Sequence, residues 1–245
     1  MKPQKFLFMP LLAMLVFFLS SCNNGSETTT TTDSVSSDSV TATTTAPETN
    51  VVTTPENVMV VKHKVKDFAK WKTSYDEHDS LRLANGIHNY VIGRGVQDSN
   101  TVMVAVKFDD VAKAKAFAKD PSLKAAMQKG GVTGTPSFKF STVVYQDMAP
   151  DMSDLRSMTT FTVKDWDAWK TAFESNRQLR TDNGVTDRAY GYEVDDNHKV
   201  VLVVAVNDSA KAEAFWNGDV IKQRRAESGV IGQPERFIYR VVQKY

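Results

Sequence analysis

Thr101-Val102-Met103-Val104-Ala105-Val106-Lys107-Phe108 is the stretch that decides the architecture. As a strand it sets Val102, Val104, Val106 and Phe108 on one face and Met103 and Ala105 on the other. A later stretch repeats the pattern, with Val200, Leu202, Val204 and Val206 against Val201, Val203 and Ala205. A strand apolar on both faces needs cover on both. Helices on one side supply half of it, and a second sheet packed face to face supplies the rest.

The chain supplies that second sheet because it is written twice. Residues 58–145 align without a gap with 156–243, and about three in ten aligned residues are identical. Val65-Lys66-Asp67 answers Val163-Lys164-Asp165, Leu81-Arg82 answers Leu179-Arg180, and Asn85-Gly86 answers Asn183-Gly184. In the first copy Val58–Val65 reads as a strand with Val61, His63 and Val65 on one face. Asp67 caps a helix running to Asn85, which Gly86 stops. Ile87–Gln97 and Thr101–Phe108 flank the turn Asp98-Ser99-Asn100. Asp109-Asp110 opens an Ala/Lys-rich helix that Pro121 breaks or restarts and Gly130-Gly131 ends. Ser137–Tyr145 is the last strand, and the Gly-Val-x-Gly-x-Pro stretches at Gly131 and Gly229 read as turns. The expected fold is α+β: two ferredoxin-like βαββαβ repeats, 58–146 and 156–245, joined by a linker over 147–155 and closed into one intrachain α+β barrel.

The N-terminus reads as an address. Lys2 and Lys5 precede the apolar run Phe6–Phe18, which is short for a membrane span and fits an export signal over 1–21. Leu19-Ser20-Ser21-Cys22 resembles the lipobox of bacterial lipoproteins, in which the cysteine sulfur is lipidated. The plainer alternative is an ordinary signal peptide with a chance cysteine. Membrane lipid through Cys22 is the expected partner, the cell envelope the expected location, and Asn23 after the cysteine favours the outer membrane. Residues 22–57, rich in Thr and Ser, read as a disordered tether reaching roughly 30–35 Å. Asp33-Ser34-Val35 and Asp38-Ser39-Val40 resemble the O-glycosylation acceptor of Bacteroidetes, which marks Ser34 and Ser39.

Composition excludes several classes. Thirty Lys and Arg against 29 Asp and Glu give a net charge of +1, too little for a dedicated nucleic-acid binder. The single cysteine excludes a disulfide framework, a cysteine zinc site and a thiol redox pair. Glu77-His78-Asp79 are consecutive on a helix and point in different directions, so no metal site is expected.

The pattern Trp71-x3-Tyr75-x2-His78-x3-Arg82-x3-Gly86, with Phe108-Asp109-Asp110, Ala114–Phe117 and the Gly-Val-x-Gly-x-Pro stretch, resembles the dimeric α+β barrel superfamily. Within it the chain is most similar to relatives of the antibiotic-biosynthesis monooxygenases. Most members build the barrel from two chains. The resemblance implies that two tandem copies build it from one, so no oligomer is required. The superfamily includes cofactor-free oxygenases, isomerases and haem enzymes, so it implies no single reaction. No cofactor is expected, because haem ligation needs a committed histidine and neither repeat offers an unmistakable one.

The candidate site lies along the first helix of each repeat. His78 is the acid/base candidate and Arg82 the candidate anion stabiliser, both as catalytic residues. Trp71, Tyr75, His63 and Tyr90 in the first repeat are candidate ligand contacts. Trp169, Phe173, Asn176, Arg180 and Tyr190 are their counterparts in the second. Each has a plainer reading: aromatics at helical spacing pack a sheet, His63 is a satisfied core histidine, and the arginines pair with acids. Three functions follow. The first is a membrane-anchored lipoprotein binding a small, partly apolar molecule in a helix–sheet cleft. The second is a cofactor-free monooxygenase- or isomerase-like enzyme using His78 and Arg82. The third is a structural or interaction lipoprotein without a pocket.

Overall fold

The computed structural model describes residues 50–150 and 152–245. The signal segment, Cys22, Ser34 and Ser39 lie outside the described residues. The first repeat runs β1 (Val51–Val52), β2 (Glu56–Val65), α1 (Phe68–Glu77), α2 (Asp79–Ala84), β3 (Ile87–Gly95), β4 (Thr101–Phe108), α3 (Val111–Phe117), α4 (Pro121–Lys129) and β5 (Val132–Asp147). The second runs β6 (Leu155–Val163), α5 (Trp166–Ser175), α6 (Arg177–Asp182), β7 (Val185–Glu193), β8 (Asp196–Val206), α7 (Ser209–Asn217), α8 (Asp219–Glu227) and β9 (Val230–Lys244).

The strands form a sheet in the order β1-β5-β2-β4-β3-β9-β6-β8-β7, and β5 also pairs with β7. That pairing closes the sheet into a barrel, with β3–β9 and β5–β7 as the two seams between repeats. Val58, Met103, Ala105, Val143, Met158 and Tyr239 form the core inside it. Met59, Val61, Val104, Val106 and Phe108 pack outward against Trp71 and Phe117 of the helices. The two apolar faces of Thr101–Phe108 are thus covered by different partners, helices on one and the other repeat's strands on the other. Each seam requires a glycine. A Cβ on Gly93 would strike the Tyr239 ring of β9, and one on Gly191 would strike the Thr142 carbonyl of β5.

Four local expectations are corrected. The helix expected from Asp67 to Asn85 is two helices, broken at His78 (φ −99°, ψ 20°), and the copy breaks likewise at Asn176 (φ −99°, ψ 18°). At the break the His78 amide turns to the Tyr75 carbonyl, and the side chain takes over the Ser74 carbonyl through Nδ1 at 2.6 Å. Asn176 Nδ2 does the same for the Ala172 carbonyl at 2.7 Å. The polar side chain replaces the backbone donor the break removes.

The Gly-Val-x-Gly-x-Pro stretches are not turns between elements. They lie inside β5 and β9 as bulges, because Lys62 pairs with Ser137 while Lys64 pairs with Thr133. Gly134 at φ +70° turns the extra residues out, and Gly232 does so in the copy. The bulge leaves His63, and Phe161 in the copy, without a partner on that side of the ladder.

The ordered sheet also begins earlier than the expected tether end at 57. Val51 and Val52 pair with Asp147 and Gln146, and Glu56 pairs with Val143. Asp147, expected to start the linker, is therefore the end of β5.

Candidate functional site

In the first repeat, α1, α2 and α4 leave a cavity of about 70 Å³ over the outer face of the sheet. Trp71, Tyr75, His78 and Arg82 line it from the helices, and His63 and Phe138 from the strands. The spacing of the helix residues puts them on one face, as the 3.6-residue period requires. Trp71 stacks on Tyr75 with centroids 5.2 Å apart, and His63 lies 5.5 Å from Trp71.

His63 is not a satisfied core histidine. It is 5% exposed, and neither ring nitrogen has a hydrogen-bond partner. Burial lowers its pKa to about 4, so the ring is neutral at physiological pH. A buried polar group without a partner costs about 1–3 kcal/mol, and such a group in a native fold calls for an explanation. His63 also lines an open groove of about 1060 Å³ at one end of the barrel, so it stands where the inner cavity meets solvent.

His78 is placed with equal definition. The Ser74 carbonyl is an acceptor only, so Nδ1 carries the hydrogen, and the His78 side chain lines the cavity. Arg82 has a structural part rather than the expected catalytic one. Its Nη1 donates to the Tyr75 carbonyl at 2.8 Å, Nε to Asn89 Oδ1 at 3.0 Å and Nη2 to Asp79 Oδ1 at 3.1 Å. The guanidinium lies 3.7 Å over the Tyr75 ring. Three of its five N–H donors are taken by the chain's own acceptors, and the residue is only 6% exposed, so its place is that of a tie between helix and sheet.

The second repeat has the same cleft with other chemistry. Its cavity is about 100 Å³, lined by Phe161, Trp169, Phe173, Asn176 and Arg180 among others. Trp169 stacks on Phe173 at 4.9 Å. Asp187 engages Arg180 on both oxygens, at 2.7 and 2.6 Å, so this arginine too is structural. Tyr190 does not line the cavity but backs its aromatic wall, edge-on to Phe173 at 5.3 Å and to Trp169 at 6.1 Å. It stacks on Tyr145 at 4.7 Å and donates to Glu174 Oε1 at 2.5 Å. Burial, followed by that bond, raises its pKa.

Tyr90 belongs to a third space, inside the barrel. A cavity of about 220 Å³ lies between Val58, Val60, Met103 and Ala105 of one repeat and Val201 and Val203 of the other, with Tyr90, Gln146 and Arg188 also in its wall. Tyr90 donates to Gln146 Oε1 at 3.0 Å. The bulge between Asn89 and Val91 sets its face, which alternation alone cannot place. Sequence reasoning missed Trp216, Arg225 and Arg236 at the second cleft. A signal was present: the aligned residues of the first repeat are Ala118, Met127 and Phe138.

Among the described residues no cluster of three or more His, Cys, Asp or Glu could hold a metal. Haem does not fit either cleft. The second has no histidine in its wall, and in the first Trp71 lies against His63 beside a cavity of about 70 Å³.

No family model matches this chain, and no curated protein matches it. Solved structures do. An anthrone oxidase-like protein superposes with TM-score 0.55 at 13% identity, over 80% of this chain and 95% of that one. A candidate chlorite dismutase superposes with TM-score 0.54 at 13% identity, over 77% and 96%. A candidate monooxygenase from Fusobacterium nucleatum gives 0.51 at 12%, over 77% and 93%. At such identities the likeness is one of fold. The chain has the ferredoxin-like, dimeric α+β barrel fold found in monooxygenase-like proteins.

Proposed function

We propose that this chain, a barrel of the monooxygenase-like fold, is a lipid-anchored protein of the bacterial cell envelope that binds a small, partly apolar molecule in the helix–sheet cleft of its first repeat. One observation carries the binding reading: both ring nitrogens of His63 are buried without partners beside an aromatic-walled cavity. A neutral imidazole offers one donor and one acceptor. A ligand with an apolar body and a hydroxyl would satisfy one of them while stacking against Trp71 and Tyr75. Because His63 also lines the open groove, a ligand larger than the inner cavity extends outward there. The cavities in both clefts weigh against a filled scaffold with no pocket.

The test uses His63→Phe, which installs the residue that the second repeat carries as Phe161. Titration of tryptophan fluorescence with p-cresol should saturate for the wild type, and the variant should bind at least tenfold more weakly. Equal affinities would remove the proposal.

A cofactor-free oxygenase or isomerase is the second reading, and one observation favours it. His78 is held by Nδ1 with Nε2 left to accept a proton, while Arg82 keeps its structural part. Full turnover by His78→Ala, once a substrate is in hand, would exclude it. Lipidation rests on Lys2, Lys5, the run Phe6–Phe18 and Cys22. Mass spectrometry of the mature N-terminus should find a diacylglyceryl cysteine, and Cys22→Ala should release the protein from membranes.

A further inference from the structure

Two arginines of the second cleft have no counter-charge. Arg236 on β9 lies over the Trp216 ring at 4.0 Å, and its buried Nε has no hydrogen-bond partner. Arg225 on α8 lines the same cavity. Among the described residues neither guanidinium has an acidic partner. Their neighbours do: Arg180 is held by Asp187 and Arg224 by Glu227. Burial lowers the pKa of Arg225, and burial together with the Arg225 charge lowers that of Arg236 to about 10. Both remain cationic at neutral pH.

Packing alone does not require them. In the first repeat the same two positions are Met127 and Phe138, and they close the equivalent cleft with apolar side chains. Two like charges at the edge of an apolar cavity are unfavourable in the free protein. An anion placed between them relieves that cost and gains charge-assisted hydrogen bonds.

We infer that the second-repeat cleft binds a small organic anion, an aryl or branched-chain carboxylate, with its apolar body among Phe161, Trp169, Phe173 and Phe215 and its carboxylate on Arg225 and Arg236. The cavity of about 100 Å³ is smaller than the roughly 150 Å³ that encloses benzene, so it takes a branched aliphatic group whole or a ring in part, with the remainder lying toward the groove. Arg236 and Trp216 also line the open groove, so the carboxylate end of the site is reached from solvent. The two cleft cavities share no lining residue, although both open on the same groove, and this inference rests on Arg225 and Arg236 and not on His63.

Isothermal titration of the intact chain with phenylacetate, isovalerate and phenylacetamide tests it. One equivalent of phenylacetate or isovalerate should bind, and phenylacetamide at least tenfold more weakly than phenylacetate. Arg225→Gln and Arg236→Gln should each weaken carboxylate binding at least tenfold, with Arg236→Lys intermediate. Thermal melts of each variant establish that it is folded, and Arg236→Phe, which installs the first-repeat residue, is the replacement if a glutamine variant is not. No binding of either carboxylate, equal affinity for acid and amide, or unaltered affinity in folded arginine variants would each overturn the inference.

Discussion

Asp187 grips Arg180 from strand β7 with both carboxylate oxygens, and the pair is almost wholly buried. The first repeat holds the equivalent Arg82 differently. Asn89 stands where Asp187 would be, and the acid is Asp79 on α2. The residue aligned with Asp79 is Arg177, itself 3.6 Å from Asp187. The acid has moved from helix to strand between copies, while the arginine stays stacked on an aromatic ring, at 3.7 Å in one and 3.5 Å in the other. Both arginines also donate to a carbonyl near the helix break, Tyr75 in one and Phe173 in the other. Each therefore ties the broken helix to the sheet.

That exchange is testable by transplanting it. Asp187→Ala leaves a buried guanidinium without its acid and should cost about 3–5 kcal/mol in urea unfolding. Asp187→Asn should also destabilise. Adding Arg177→Asp, which rebuilds the first repeat's arrangement, should recover much of the loss. A double variant no better than Asp187→Asn would show that the two arrangements are not equivalent.

His63 makes stability depend on pH in one direction. Its folded pKa of about 4 lies below the ordinary 6.5, so between those values the unfolded chain binds the proton and the folded chain does not. Stability is therefore retained above pH 6.5 and lost as pH falls toward 4, by about 3 kcal/mol for the full shift. Denaturant midpoints at several pH values should show this fall in the wild type relative to His63→Phe. Parallel pH profiles would contradict it.

The unpaired arginines should be liabilities in the absence of ligand. Arg236→Phe replaces a half-buried cation without an acidic partner by the residue of the first repeat and should raise stability by about 1 kcal/mol, read as a higher melting temperature. A lower one would mean that Arg236 contributes to packing through Trp216.

The seam glycines should not tolerate a methyl group. Gly191→Ala puts a Cβ onto the Thr142 carbonyl and must part β7 from β5, so a loss of about 3 kcal/mol is expected. Gly134→Ala tests a different limit. Its Cβ would meet nothing within 4 Å, so only the positive φ opposes it and the loss should be about 1 kcal/mol. Thermal unfolding of both variants would show whether the order is reversed.

The duplication, the cap residues Asp67 and Asp165, and the two-sided apolar strand at Thr101–Phe108 were legible because each is a local or periodic property of the chain. A strand with no polar face must be covered twice, and from that the closed barrel follows. Trp71, Tyr75, His78 and Arg82 were legible as one face for the same reason. Only the tertiary structure decided what each does. Arg82 is engaged because Asn89, seven residues away on a strand, returns beneath it, and the His63 ring is without partners because the aromatic and aliphatic side chains that other elements pack around it, Trp71 and Phe138 among them, offer no donor or acceptor. Tyr90 turned inward at a bulge, and Arg225 and Arg236 met at one cleft from a helix and a strand. Periodicity encodes which side of an element a residue occupies. Pairing, and the absence of it, depends on distances between elements that only the closed fold sets.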